Sequence, residues 1–294
     1  MLKALVMTTK PQSFLMSFIS VSVGTALAAT QVSLDWVAYL LSVLGAVFLH
    51  AGTNVVNDYF DFKNRVDTTE VPGGFSNESR VLIQKLLSPQ QVLRIGLALF
   101  ALSLPIGIYL TWAKGLPVLM IGMLGFLAGF FYTANPISFK YVALGEPLVF
   151  LMWGPLMVSG AYYVQTGELS AQAIWVSIPF GILVALILLA NNIRDIQYDG
   201  QVGIKTIATV LGKHQALQLY QLSAAIAYII IVILIILKQL SLWGFLVMFS
   251  LPLAYKLVQT LKQEVPPDAD ARTAQLDTAF GLLLIVSLIL DQYF

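Results

Sequence analysis

Asn57, Asp58 and Asp61 close one long apolar run of the chain, and Asn191, Asn192, Asp195 and Asp199 close another. The two stretches read NVVNDYFDFKNRVD at 54–67 and NNIRDIQYD at 191–199. Residues four apart on an α-helix lie about 40° apart around the axis and one turn along it. Asn57 and Asp61 therefore share a face, as do Asn191, Asp195 and Asp199. Asp58 is offset from Asn57 by about 100°. The pattern Asn-x-x-x-Asp thus occurs twice, as a weak internal repeat. Asp67 lies six residues past Asp61 and joins the cluster only if the helix unwinds around Lys63–Val66.

Carboxylate and amide oxygens suit a hard cation, and a few such ligands suit Mg2+ that completes its shell with water and substrate phosphate. The expected metal ligands are Asn57, Asp58, Asp61, Asp67, Asp195 and Asp199. Lys63 and Arg65 accompany the first group; Arg194 and Lys205 accompany the second. Acids that hold metal, ringed by lysine and arginine, bind a diphosphate and stabilise it as a leaving group. On that reading Asp61, Asp195, Asp199 and Lys205 are the catalytic candidates. Lys63, Arg65, Arg194 and Asn192 are substrate-binding candidates, joined by Tyr132 and Lys140 near Asn135. The bland reading of each loop is a solvated set of interfacial charges that fixes topology, and of Tyr132 a member of the aromatic belt. Carboxylates at a helix C-terminus oppose the macrodipole, at about 0.3–1 kcal/mol each. Two helices making the same unfavourable choice imply a cationic compensator.

The elements that must position these groups are apolar. Of 294 residues 58% are hydrophobic and 11% charged, against roughly 25% charged in a soluble domain. Composition therefore makes this an integral membrane protein, in contact with lipid. The net charge of +1 gives no sign of a nucleic-acid partner, and the absence of cysteine excludes disulfides and thiolate metal sites. Nine apolar runs, near 13–30, 36–57, 90–111, 115–134, 142–165, 171–194, 215–237, 241–259 and 273–291, approach the roughly 20 residues a span needs. The expected fold is all-α: one polytopic domain over 1–294 with nine transmembrane helices. The first run follows Lys3 and Lys10 as a signal peptide would, but Pro11 opens it and it is read as a span. Ser88-Pro89-Gln90-Gln91 has the form of a helix start, with an N-cap, a first-turn proline and a capping-box glutamine.

With the N-terminus inside, fourteen of the sixteen lysines and arginines fall on the cytoplasmic side and only Lys114 and Lys238 outside, the asymmetry expected of short loops. Both acidic groups then lie at the cytoplasmic ends of helices. A polytopic transporter is the alternative class; such proteins carry ionisable groups and broken helices near the membrane midplane. Here the acids sit at helix ends on one face, which favours an enzyme. His50, mid-run, is read as a hydrogen-bonded packing residue, and His214 needs no special role. Glu146 is open between a helix N-terminal acid and a cavity residue. Phe60, Phe131 and Trp153 could shield a carbocation, though each alone reads as core or lipid-facing.

NDYFDFKNRVD resembles the first aspartate-rich motif of the UbiA superfamily of intramembrane prenyltransferases, and NNIRDIQYDGQVGIKT resembles the second. Within it, NNIRDI followed by Lys205-Thr206 and VLGK, with YTANPISFKYVALGE at 132–146, is most similar to the 1,4-dihydroxy-2-naphthoate prenyltransferases. The resemblance runs from KPQSF at 10–14 to the last span. It departs at Lys10-Pro11, where the family usually has Arg-Pro, and lysine cannot supply a bidentate fork. The resemblance implies helices around a central cavity, a polar magnesium-bearing cap and a lipid-facing opening. It implies two substrates, a prenyl diphosphate (polyprenyl or phytyl) and 1,4-dihydroxy-2-naphthoate. The carboxylate-bearing ring carbon would capture the allylic cation and lose CO2, giving a demethylmenaquinol-type product or a phylloquinone precursor. The implied location is a bacterial plasma membrane or a thylakoid-type membrane, and the alternative acceptors are 4-hydroxybenzoate, homogentisate and haem.

Overall fold

The computed structural model describes residues 2–66 and 80–293, and in that range it is helical without a named strand. A short helix α1 (Leu2–Thr9) leads through a left-handed Lys10 and a 3-10 turn into α2 (Phe14–Ala29). Helix α3 (Trp36–Lys63) starts at Asp35, whose side chain accepts the Ala38 N–H, and carries the first acidic group at its far end. After α4 (Arg80–Ile83) comes α5 (Pro89–Lys114), which opens on the expected capping box of Ser88 and Gln91. Helices α6 (Leu116–Phe130), α7 (Gly145–Leu151) and α8 (Met157–Thr166) follow. Then come α9 (Ala171–Arg194), α10 (Ile196–Gln201), α11 (Ile207–Leu211) and α12 (Lys213–Ile236). A 3-10 stretch, Leu242–Ser250, runs into α13 (Leu251–Gln263), and α14 (Ala269–Tyr293) ends the bundle.

Among the described residues eight helical segments are long and apolar enough to cross a membrane. The run expected at 115–134 is the 15-residue α6, about 22 Å long against a hydrocarbon core of roughly 30 Å. It is short because Gly115 turns the chain at φ 103 on one side and a non-helical segment begins at Phe131 on the other.

Helices α2, α9, α12 and α14 share the main core, built on Ile19, Phe180, Tyr220, Leu276, Phe280 and Leu284. Trp112, Ile236, Leu242 and Phe249 project outward instead. Lipid is the natural solvent for such a surface, so the chain is an integral membrane protein.

The run expected as one span at 142–165 is broken into α7 and α8 by a π-helical segment, Met152–Leu156. Pro155 supplies no N–H and its ring clashes with the preceding turn, and Gly154 absorbs the bend at ψ −105. The bend is held by close backbone approach: a Cβ on Gly181 of α9 would lie 2.9 Å from Gly154 Cα and 3.0 Å from the Phe150 carbonyl oxygen. Helix α9 carries the second acidic group, so this contact sets where that group lies. Gly181→Ala is expected to cost about 1–3 kcal/mol through overpacking, seen as a lower unfolding temperature in detergent. Gly122→Ala, where an added methyl meets nothing within 4 Å, should leave that temperature unchanged or higher; equal effects would refute the close-packing account.

Candidate active site

The end of α3 shows how the buried acids are compensated. Asn57, Asp58 and Asp61 are all buried. Asp58 Oδ1 pairs with Lys10 Nζ at 3.0 Å and its Oδ2 accepts the Thr8 hydroxyl at 2.8 Å. Asp61 Oδ2 accepts Lys140 Nζ at 2.7 Å and the Asn57 amide at 2.9 Å, and its Oδ1 accepts the Tyr141 hydroxyl at 2.5 Å. Burial, and after it the Asp61 carboxylate, push the Tyr141 pKa up, so this hydroxyl stays a donor at neutral pH. The left-handed turn at Lys10 makes the first pair possible, because it brings α1 and α2 back across α3. The second pair comes from the segment after α6, which folds through Ser138 and a 3-10 turn at Phe139–Tyr141.

Helix α3 stops where the joining of Asp67 to the cluster requires it to stop. Asn64 caps it, Arg65 takes a left-handed φ of 57, and the Val66 N–H reaches back to the Asp61 carbonyl at 2.8 Å. Asp67 itself lies outside the described residues. Lys63 and Arg65 are exposed at this end, and the Lys63 ammonium stands over the rings of Tyr59 and Phe60 at 5.8 and 5.7 Å.

In the second group Asp195 ends α9 and Asp199 lies one turn on in α10, its N–H bonded to the Asp195 carbonyl at 2.9 Å. Arg194 binds Asp195 with both prongs of its fork, at 2.9 and 2.7 Å, and also donates to Asp270 at 2.9 Å and Asn191 at 2.6 Å. Asn192, expected among the substrate-binding residues, faces away from the cavity lining and donates to buried Glu146 at 2.9 Å. Its neighbour Asn191 lines the cavity instead. Lys205 is exposed, and its backbone pairs with the Tyr141 to Ala143 segment, donating to the Tyr141 carbonyl at 3.2 Å and accepting from the Ala143 N–H at 2.7 Å.

Asn57 of the first group and Asn191 of the second line one cavity of about 960 Å³, whereas Asp58, Asp61, Asp195 and Asp199 stand behind them and are absent from its lining. Its polar end includes Asn57, Tyr132, Lys140, Asn191, Arg194 and Asp270; its apolar length includes Leu49, Phe126, Met152, Trp153 and Met157. Along α3 the lining runs from Asn57 to Leu41, about 24 Å of helix. His50 lines the middle, held between the Ser13 and Ser17 hydroxyls at 3.2 and 2.9 Å and packed edge-on to Trp153 at 4.8 Å. That is the packing role expected of it. Glu146 falls in the first turn of α7 and is absent from the cavity lining.

Among the described residues no three carboxylate or imidazole groups converge closely enough to hold one metal ion by themselves. The residues nevertheless fit a divalent cation that shares its shell with substrate. Asn57 Oδ1 is buried at the cavity without a hydrogen-bond partner among the described residues, and an amide oxygen is a hard donor that such a cation accepts. Tyr141 and Asp270 escaped the reading of the sequence. A tyrosine near an interface looks like belt, and Asp270 sits in a charged connection, PPDADAR, that reads as solvated. Tyr141 does follow Lys140 directly, and that adjacency was the available signal.

An intramembrane helical bundle whose two acid-ended helices open onto a long apolar cavity is the architecture of an enzyme for a substrate with a charged head and an oily tail. The chain belongs to the UbiA prenyltransferase family, whose model matches residues 17–284, and is a prenyltransferase. It is 33% identical over 289 residues to the 1,4-dihydroxy-2-naphthoate octaprenyltransferase of Bacillus subtilis, covering 97% of this chain and 92% of that one. It is 30% identical to the human UbiA prenyltransferase domain-containing protein 1, covering 97% of this chain and 83% of the relative. The fold is shared with a UbiA homologue from Aeropyrum pernix, with TM-score 0.71 and 16% identity over 95% of this chain and 98% of that one. It is likewise shared with an Archaeoglobus fulgidus homologue bound to GPP and Mg2+, with TM-score 0.69 and 16% identity over 97% of this chain and 99% of that one.

Removing one partner of a buried ion pair strands the other charge, at about 3–5 kcal/mol. Lys140→Met should therefore destabilise the protein strongly in detergent thermal unfolding, and Asp61→Asn combined with Lys140→Met should recover most of the loss. A Lys140→Met variant as stable as wild type would show that the pair does not neutralise Asp61.

Proposed function

We propose that this chain transfers a prenyl group from a prenyl diphosphate to 1,4-dihydroxy-2-naphthoate, releasing CO2 and diphosphate and giving a demethylmenaquinol-type product of menaquinone biosynthesis. The observation that carries this reading is a cavity whose polar end is lined by Asn57, Lys140, Asn191 and Arg194, the direct neighbours or partners of the acids, with an apolar length behind them. The choice of acceptor is supported by the Bacillus subtilis relative. The chain is read as one unit of nine spans, α6 being the shortest, with the N-terminus and the acidic end cytoplasmic in a bacterial plasma membrane. The lysine and arginine asymmetry supports that orientation.

Asn57, Asp58, Asp61, Asp67, Asp195 and Asp199 would hold Mg2+. Bound there, magnesium supplies positive charge against the diphosphate oxygens as the leaving group gains negative charge. The chain's own cations act in the same sense. Lys140 and Arg194 border the polar end of the cavity, with Lys63, Arg65 and Lys205 on the loops above; cations so placed act most strongly as the carbon–oxygen bond breaks. Tyr132, also lining that end, orients the diphosphate or the acceptor ring. The prenyl tail lies along Leu49, Phe126 and Met157, where apolar walls exclude water from the allylic cation. The aromatic face of Trp153 stands in the same stretch and stabilises positive charge.

The electron balance then closes without a strong base. The carbon–oxygen bond of the prenyl diphosphate breaks with its electron pair leaving on diphosphate. The electron-rich ring carbon that bears the carboxylate forms the new carbon–carbon bond. The bond to the carboxyl carbon breaks next, its electrons restore the aromatic ring, and CO2 departs.

With 1,4-dihydroxy-2-naphthoate labelled at the carboxyl carbon, an all-trans prenyl diphosphate and magnesium, label should leave as CO2 one for one with lipid product. EDTA should stop the reaction and magnesium restore it, and Asp61→Ala and Asp195→Ala should abolish it in folded protein. Label retained in a prenylated acid, or preference for 4-hydroxybenzoate or homogentisate, would assign another acceptor. Full turnover without divalent metal would refute the diphosphate chemistry.

A further inference from the structure

Glu146 is a buried carboxylate without a cation against it in any contact described, and its donors come from different parts of the chain. Its Oε1 accepts the Asn192 side-chain amide at 2.9 Å, and its own backbone N–H and that of Ile207 also act on the carboxylate. Asn192 stands three residues before Asp195, and Ile207 two residues after Lys205. One carboxyl group therefore touches both ends of the connection that carries Asp195, Asp199 and Lys205. Glu146 lies in the first turn of α7, where the helix dipole and free N–H groups favour an anion. It also sits five residues beyond Tyr141, which donates to Asp61. Between them, Tyr141 and Ala143 form the backbone pairing with Lys205. The segment 139–146 thus grips the first acidic group through Lys140 and Tyr141, and the second through Lys205 and Glu146.

We infer that Glu146 is a positioning residue that sets the spacing between the two acidic groups, closing the 192–207 connection against the segment that holds Asp61. It rests on the proposed function only in that this spacing matters for a diphosphate bridging the two groups. A carboxylate suits the role because it accepts several hydrogen bonds at once, which an amide does less strongly and an alkyl group not at all.

The full chain has no cysteine, so spin labels can be placed at will. Labels at Gln90 and Gln201, exposed positions on α5 and α10 outside the site, report the separation by pulsed electron resonance without any substrate. Glu146→Ala is expected to broaden or shift that distance distribution and to raise the KM for prenyl diphosphate about five-fold, with a smaller change in kcat. Glu146→Gln keeps the size and one acceptor oxygen and should return both readouts to within about two-fold of wild type. If Glu146→Ala does not fold, Ile207→Pro decides. Ile207 is the first residue of α11 and follows an extended Thr206, so proline fits there and removes the N–H directed at Glu146 together with the isoleucine side chain. Ile207→Ala controls for the lost side chain. An unchanged distance and KM in Glu146→Ala, or in Ile207→Pro where that variant decides, would overturn the inference. So would a Glu146→Gln variant that loses kcat at unchanged distance, since that would mark proton transfer. A wild-type chain that turns over no prenyl diphosphate would count against the proposed function alone, because the distance arm stands without it.

Discussion

Carboxylates buried at the C-terminal ends of membrane helices are the constraint on which the rest of this structure depends. Asp58 and Asp61 retain about 1% of their exposure, in a region where the helix dipole opposes them and water is scarce. Such groups persist only if cations and hydrogen-bond donors reach them. Each is reached from far away in sequence: Lys10 and Thr8 cross from the N-terminal segment, and Lys140 and Tyr141 from the connection between α6 and α7. The left-handed turn at Lys10 and the compact segment after α6 are the backbone consequences. The long-range contacts of the polar end are in this sense dictated by electrostatics, while the apolar faces of α2, α9, α12 and α14 close the remainder.

The two acidic groups solve the same problem differently. Asp195 takes its cation from the adjacent Arg194, whose fork reaches both of its oxygens, and Asp195 keeps 23% of its side-chain exposure against 1% for Asp61. The first group is fixed by two distant segments; the second is braced by an adjacent arginine shared with Asp270 and by the bond from Asn192 to Glu146. That asymmetry is invisible in the repeated Asn-x-x-x-Asp pattern, because the repeat describes which face the acids share and not what arrives to meet them.

The legible and illegible parts divide along that line. Helix existence and the Ser88–Gln91 start follow from local hydropathy and capping chemistry and appear as expected, while α3 runs past the apolar run ending near 57 and stops at Lys63. The need for a cationic compensator also follows from the dipole argument, and three ion pairs answer it. What escaped was tertiary choice. Asn191 and Asn192 are adjacent on one helix, and only the position of α7 decides which faces the cavity and which meets Glu146. Tyr141 was hidden by the ordinary abundance of tyrosine at membrane interfaces. The break at Gly154-Pro155 passed unread because uninterrupted apolarity around it satisfies every test for a span, while the bend depends on the close approach of Gly181 from another helix.

A site assembled this way couples its electrostatics to its shape. The cations that border the cavity are the same groups that neutralise the acids, so none can be moved without exposing a buried opposite charge to a poor solvent. A ligand that brings both signs of charge, as a diphosphate with a divalent cation does, can engage acids and cations together and leave neither stranded. A ligand of one sign alone cannot. The geometry therefore discriminates by the charge pattern of the head group before any contact with the tail. The apolar length from Asn57 to Leu41 then selects for what the head carries, since only a long hydrophobic chain gains from lining that part of the cavity.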